Sequence, residues 1–495
     1  MNRIKALILS FIIIFVSLCV PVSSDAATTK PDISTPVKLS WNMIGNGQPQ
    51  DTQAVMKVLN TYLKNKINAT IDLKVLTWGD DFEQKSKAML LSLEPLDITF
   101  TSNWALDYLN YASSGLFVDI TDMLETYAPN AKKVLGPSVI KGASVNGRLY
   151  ALPSNTNTTT QYGIVYNQKL ATKYNINMSK VKNLKDLEPI LKVIKSKEKS
   201  VTPFKPYGTG TVSNVLFSLP IERFAKLYNI PVSVLKSDNS LTAVNDISTP
   251  QAKNLFVLMN SWNRSGLISK NVNRYDSSDI NTGKVFSFFD EVIPSKAYDL
   301  SKQTGITFNK IDIDSPYRTT ESCLDTMQAI SYTSENPERA LMFLDLLYCD
   351  KYVNNLINFG IEKIHYTKKG ANSISLTSKG QLDYYVSMPW MFGDQKLAYI
   401  ADGYDPAASD TIAKYNTSSK NSPLLGFSYT KPPDLINTVS SVSYCYSTYI
   451  HGLICGSSDP QTTLPKFIKE LQACGINKII NDVQRQIDSF KEENK

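Results

Sequence analysis

Histidine is the scarcest chemically informative residue in this chain: only His365 and His451 occur in 495 residues. A Ser-His-Asp machine would need one of them, and no G-x-S-x-G elbow is present to go with it. The H-E-x-x-H pattern and any paired histidines for a metal are also missing. His365, beside Tyr366, reads as an ordinary surface or cleft residue. Cysteine is sparse as well. Cys19, Cys323, Cys349, Cys445, Cys455 and Cys474 show no C-x-x-C spacing, which argues against zinc or a disulfide scaffold. Cys445 and Cys455 are near enough in sequence to close a short loop. The formal net charge is +7, yet no Lys/Arg block of the kind that tracks a phosphate backbone is present, so nucleic acid is a poor partner. Beyond the first residues, no apolar run approaches the ~20 residues that a spanning helix needs.

Those first residues are different. Arg3 and Lys5 precede the uncharged run "ALILSFIIIFVSLCV", and "SSDAAT" follows, with Ser24 and Ala26 as the small residues of a cleavage site. This is the three-part pattern of a secretory signal peptide, placed at 1–26. Cys19 opens an alternative, because bacterial lipoproteins are cut just before a cysteine. Leu18 is a poor fit to the small residue usual there. A cut after Ala26 frees the protein; a cut before Cys19 tethers it by lipid. Either way the chain is expected to be exported, outside the cell or at its surface.

Beyond the leader, Val37, Leu39, Trp41 and Met43 alternate with polar residues, as in a half-buried strand. The turn "GNGQPQD" follows, and Asp51 is placed to cap a helix with the stripe Val55, Val58, Leu59, Tyr62, Leu63 and Ile67. Ile71, Leu73 and Val75 form a second strand. A second helix is expected over Asp81 to Leu93, a third strand over "LDITFTS", and another helix from near Trp104. Strand and helix in alternation predict a parallel sheet with helices on both faces. Further on, "GRLYALP", "QYGIVYN" and "KVFSFFDEV" read as strands, and "TPFKPYGTG" as a loop. "SENPERALMFLDLLYCDKYVNNLINFG" reads as two helices. Ala407 to Pro423 is the most linker-like stretch, and Leu464 to Phe490 reads as a long helical tail.

The opening turn invites a nucleotide reading that it does not support. It lacks the G-K-[ST] of a phosphate loop, and Gln50 stands where a dinucleotide fingerprint needs its third glycine. It reads as a tight strand-to-helix turn, still placed where α/β proteins meet their ligands. Asp80 and Asp81 in "WGDD" suit a helix N-terminus. Of the five tryptophans, Trp41 and Trp262 suit a core. Trp78 and Trp104 follow the second and third strands at the edge of the Gly45 turn. Aromatic platforms flanked by amides and carboxylates suit sugars, whose faces present C–H groups and whose rims need hydrogen bonds.

The order of segments resembles a known family. "EPLDITFTSNWALDYLNYASSGLFVDITDMLE", "VNGRLYALPSNTNTTTQYGIVYNQKLATKYNI" and "GKVFSFFDEVIP" resemble successive segments of family 1 extracellular solute-binding proteins. "NFGIEKIHY", "WMFGDQKLAYI" and the tail "LPKFIKELQACGINKIINDVQRQIDSF" are similar to a subgroup from low-GC Gram-positive bacteria that carries a C-terminal domain of unknown function. Leu93-Glu94-Pro95 departs from the small Gly-containing turn usual there. The resemblance implies an α/β, two-lobe, periplasmic-binding-protein-like (Venus-flytrap) fold with a hinge, plus a C-terminal helical tail. It implies a monomer that closes on a small-molecule solute and delivers it to an ABC permease in the membrane, with no catalytic residues, no cofactor and no metal. Many members of the family take sugars or oligosaccharides.

On that basis lobe one is expected at 35–151 and 292–330, lobe two at 153–291 and 331–400, and a linker-like stretch with the C-terminal domain at 401–495. Asn46 and Gln48 are expected to hydrogen-bond the solute, with Trp78 and Trp104 stacking and Asp80, Ser102 and Asn103 nearby. Asn155 and Tyr162 are expected from the hinge side, and Tyr207, Asp290 and Trp390 from the other lobe. Two rival readings stand beside this one. The first is a secreted carbohydrate-active enzyme with a carboxylate pair; the second is a peptide receptor of the same fold.

Overall fold

The computed structural model describes residues 31–92, 95–209, 214–224, 227, 229–269, 276–386 and 388–494. The expected leader, Cys19 and the Leu93-Glu94 turn lie outside the described residues. The strands β1 (Val37–Gly45), β2 (Ala69–Thr77) and β3 (Ile98–Thr101) run parallel, with helices Thr52–Ile67 and Asp80–Leu91 between them. β1 is more than half-buried. Trp41, Asn42, Met43 and Ile44 are buried consecutively, so both of its faces are covered, as in the centre of a parallel sheet. Asp51 stands at the first helix's N-terminus but makes no side-chain cap. Its carboxylate instead meets His365 Nε2 at 3.0 Å and Lys379 Nζ at 2.6 Å. His365 is thus a fully buried structural residue, not a surface or cleft one. Gly47 supplies the turn with φ 92°, a region glycine enters without strain.

β4 (Ala151–Pro153) precedes the crossing to lobe two. There the chain forms β5 (Tyr162–Asn167) and β6 (Thr202–Lys205), then the small antiparallel sheet β7 (Ile221–Arg223), β8 (Val232–Leu235) and β9 (Ala243–Asn245). β10 (Val285–Glu291) and β11 (Phe308–Asp312) complete the second sheet; β12 (Tyr317–Arg318) leads back, and β13 (Met327–Ile330) rejoins the first. The sheets have the orders β2-β1-β3-β13-β4 and β11-β5-β10-β6. β6 falls in the stretch read as a loop because of its prolines. It is an edge strand, where the donor that Pro203 lacks is not needed.

The lobe boundaries differ from the sequence expectation. Residues 292–312 stay in lobe two, because β11 pairs with β5. Residues 331–392 pack on lobe one, not lobe two. Phe343, Leu344, Val353, Ile357 and Phe392 share one buried cluster with Trp41 and Leu59. The edges of Phe343 and Phe392 meet the Trp41 ring at 5.2 and 5.6 Å, and Trp41 Nε1 donates to Gln328 Oε1 at 2.9 Å. Periodicity shows that a helix has an apolar face; it does not say which sheet that face covers.

Beside lobe one, β14 (Tyr366–Lys368), β15 (Ser373–Leu376) and β16 (Ile400–Ala401) form a small sheet. The linker-like stretch is ordered: helix Ala408–Ser418, then β17 (Lys420–Asn421). The tail is three helices, Ile436–Ile454, Pro460–Ala473 and Ile476–Glu493, not one long run. The break comes at Gly475, with φ 94°. Val442, Leu453, Phe467, Ile479 and Val483 share the lobe-two core with Phe204 and Trp262. Cys445 lies within the first tail helix and Cys455 caps its C-terminus. The helical rise sets them ~15 Å apart along the axis, which is too far for a disulfide; both thiols are free.

Candidate functional site

Three segments connect the lobes, and they are hydrogen-bonded to one another. Thr160 N donates to Tyr317 O at 2.9 Å, and Tyr317 N returns a bond at 3.0 Å. β12 pairs in parallel with β17. The buried Arg318 bolts the three together. Its Nη2 donates to Asn416 O at 2.7 Å, its Nη1 to Asn421 Oδ1 at 3.0 Å, and its Nε and Nη2 both reach Thr158 Oγ1 at 3.4 Å.

In front of this hinge lies a cavity of 890 Å³. Lobe one contributes Asn103, Trp104 and Trp390, lobe two contributes Tyr162, Phe217 and Glu291, and helix Ala408–Ser418 contributes Ser409 and Ile412. Tyr162 stacks on Phe217 at 4.8 Å and on Phe289 at 5.9 Å. Trp104 is 45% exposed. Its ring leans on Phe100, and its Nε1 donates to the Asp325 carbonyl at 2.7 Å. An exposed tryptophan in a concave site is a ready stacking platform.

Four of the sequence-predicted residues line this cavity: Asn103, Trp104, Tyr162 and Trp390. Trp78 stands next to Trp104, ring to ring at 6.1 Å, and donates through Nε1 to Asn46 Oδ1 at 2.7 Å. Asp80 is exposed in the first turn of the helix at the same edge. Ser102 is buried beneath the loop; its Oγ accepts from Ala105 N at 2.7 Å and Trp104 N at 3.1 Å, which fixes the Trp104 turn. The other four are engaged elsewhere. Gln48 bonds the β2 backbone at Leu73 O and Val75 N. Asn155 Nδ2 donates to Asp394 at 2.9 Å and borders a second cavity, behind the hinge. Tyr207 is buried against His451 of the tail, at 2.9 Å. Asp290 is buried and holds Lys296 at 2.7 Å and Thr209.

Sequence reasoning missed Glu291, one residue from Asp290. Alternation places Glu291 on the same side of β10 as Phe289, which stacks with Tyr162; that period was the available signal. It also missed Glu321 and Asp325, which no local pattern marks. Burial pushes the Glu291 carboxyl up to about 7, helped by the negative charges of Asp325 and Asp290. Burial, with Asp325 and Glu222, pushes Glu321 up to about 8. Asp325 opens to cleft water, yet the crowding walls raise it too. Glu291 ends a lobe-two strand, while Glu321 and Asp325 flank Cys323 and Leu324 of the lobe-one core. The carboxylates therefore face one another from opposite lobes. Among the described residues, no group of His, Cys, Asp and Glu is arranged to hold a metal.

Comparison with known proteins agrees with this fold. Residues 423–492 match a domain of unknown function, DUF3502. A carbohydrate ABC transporter substrate-binding protein of Streptococcus pneumoniae serotype 4 is 25% identical over 90% of each chain. The N-glycan transport solute-binding protein NgtS of Streptococcus pneumoniae is 24% identical in sequence, over 93% of this chain and all of its own, with a TM-score of 0.81. The same protein in complex with Man5GlcNAc gives 0.65 over the same coverage. Each of these relatives is named for binding a substrate or solute in transport. The resemblance read from the sequence thus holds along most of the chain, which has the two-lobe fold of the solute-binding proteins and ends in DUF3502.

Proposed function

We propose that this protein is the extracellular receptor of an ABC importer, and that it captures a sugar or oligosaccharide by hinge closure and delivers it to a membrane permease. The observation that carries this reading is the cleft between the lobes, floored by the Tyr162–Phe217 stack and edged by the exposed Trp104. Asn103, Thr156, Asn157 and Gln395 give its walls hydrogen-bonding groups. A hinge of three paired segments lets the lobes rotate as bodies, and a ligand that touches both lobes favours the closed state. On this reading the chain is exported, and Cys19 is a lipid anchor only where the leader is cut before it.

A thermal-shift screen of the leaderless protein against mono- and oligosaccharides, with short peptides alongside, tests the reading. A sugar at 100 times its dissociation constant should add about 2.7 kcal/mol of stability. Trp104→Ala should weaken that sugar by roughly tenfold, since loss of a stacking platform is worth about 1 kcal/mol or more. The variant's own melting temperature should barely move, because the ring is half exposed. Stabilisation by peptides alone would sink the sugar assignment. Release of cleaved sugar at catalytic protein concentration would sink the receptor.

A further inference from the structure

Among the described residues, eight charged ones line the cleft, six acidic and two basic. Both basic groups are already matched to carboxylates that do not line it. Arg223 Nε meets Asp246 Oδ2 at 2.8 Å, and Lys236 Nζ stands 3.8 Å from Asp314. Of the acidic groups, Glu222 is occupied by Ser422 Oγ at 2.6 Å and Tyr317 OH at 3.0 Å. Glu291, Glu321 and Asp325 make no ion pair among the described residues, and they face each other from the two lobes; Lys296, the cation that acts on Glu291, is itself held by Asp290 at 2.7 Å. A second observation is independent of these charges. Arg223 Nη2 and Asn103 Oδ1 are buried polar atoms without a hydrogen-bond partner, on residues that border the cavity. The Arg223 side chain is only 8% exposed. One is a donor and the other an acceptor, and a hydroxyl group can serve either role.

Resting on the sugar reading above, we propose that the cleft selects by charge: it takes neutral or amine-bearing oligosaccharides and rejects those with carboxylates, such as uronates. Hydroxyl or ammonium donors of the ligand would lie between Glu291 on one side and Glu321 and Asp325 on the other. Closure around such a ligand replaces repulsion between like charges with shared hydrogen bonds. A uronate would bring its own negative charge into a site that already has an excess, and like-charge juxtaposition is an effective means of exclusion.

The test uses matched pairs. Mannotriose, maltotriose and N-acetylchitotriose are each titrated by calorimetry beside the same sugar oxidised at C6 to the carboxylate. The unmodified protein and the Glu291→Gln/Glu321→Gln variant are compared at pH 9, where carboxyls pushed up to about 7 and about 8 are ionised. The proposal expects the oxidised partner of any sugar that binds to be at least ~10-fold weaker, and the variant to shrink that ratio by ~5-fold or more. Reading the ratio within each protein cancels any general loss of affinity in the variant. Oxidised and parent sugars binding within tenfold of each other, or a ratio unchanged in the variant, would overturn the charge filter and leave the sugar receptor standing. Silence from every pair at millimolar concentration would instead overturn the sugar reading, and this proposal with it.

Discussion

The variant Glu291→Gln/Glu321→Gln is expected to be more stable than the unmodified chain at pH 8 and equally stable at pH 4. Glutamine has the size of a protonated glutamate and never ionises. In the folded protein the two carboxyls are pushed up to about 7 and about 8, chiefly by burial and then by neighbouring carboxylates, against 4.5 for a free side chain. Below pH 4.5 both states hold their protons, and the substitution changes little. As pH rises, the unfolded chain ionises first while the folded chain still holds its protons, so stability is lost through pH 7 and 8. A tenfold difference in proton affinity between the folded and unfolded states corresponds to about 1.4 kcal/mol. Discounted for their contact with cleft water, the two groups together are expected to destabilise the protein by about 3 kcal/mol at pH 8. Thermal melts of both proteins across pH 4 to 8 read the difference directly. A gap of the same size at both ends would show that the carboxyls do not oppose folding. Sugar binding should reduce the gap at pH 8, because ligand donors would satisfy the same carboxylates.

Arg318→Ala is expected to have the largest effect of any hinge substitution. The guanidinium is buried on the second connecting segment and bonds Thr158 of the first and Asn416 and Asn421 of the third. Hydrogen bonds to a charged group contribute about 1.5–3 kcal/mol each, and buried partners left unpaired add to the loss. Part of this is offset, since the substitution also removes a buried charge with no carboxylate beside it. A net loss of roughly 4 kcal/mol is expected from these contributions. Arg318→Lys should recover little, because an ammonium cannot span three acceptors set for a planar fork. Urea melts followed by Trp fluorescence check this. A variant as stable as the parent would show that the connecting segments hold without the bolt.

The first half of lobe one was legible because its signals are local. Leu39, Trp41 and Met43 alternate, the Thr52–Ile67 helix carries an apolar stripe, and Gly47 sits at positive φ between them. Trp41 and Trp262 were expected in cores, and both are fully buried. Trp104 and Asn103 were found for a topological reason: the loop after β3 lies at the carboxyl end of a parallel strand, where such sheets meet ligands. In lobe two the resemblance of "GKVFSFFDEVIP" to the family pointed to the right strand, but Asp290 was selected where Glu291 lines the cavity. Asp290 is instead consumed by Lys296 and Thr209.

Most strands and helices of the first lobe and the scarcity of groups for catalysis could be read from the sequence alone, because they depend on spacing along the chain or on composition; the two-lobe class followed from the resemblance to a known family. Only the tertiary structure decided which lobe owns residues 331–392, since an apolar helix face fits any sheet that covers it. Only the structure ordered the stretch after Ala407, where Asn416 accepts from Thr158 N at 3.0 Å and donates to Thr156 O at 2.6 Å. It alone gathered Glu291, Glu321 and Asp325 from distant segments into one cleft. Their crowding and their raised proton affinity are properties of distance and burial, and neither quantity is written in any stretch of sequence.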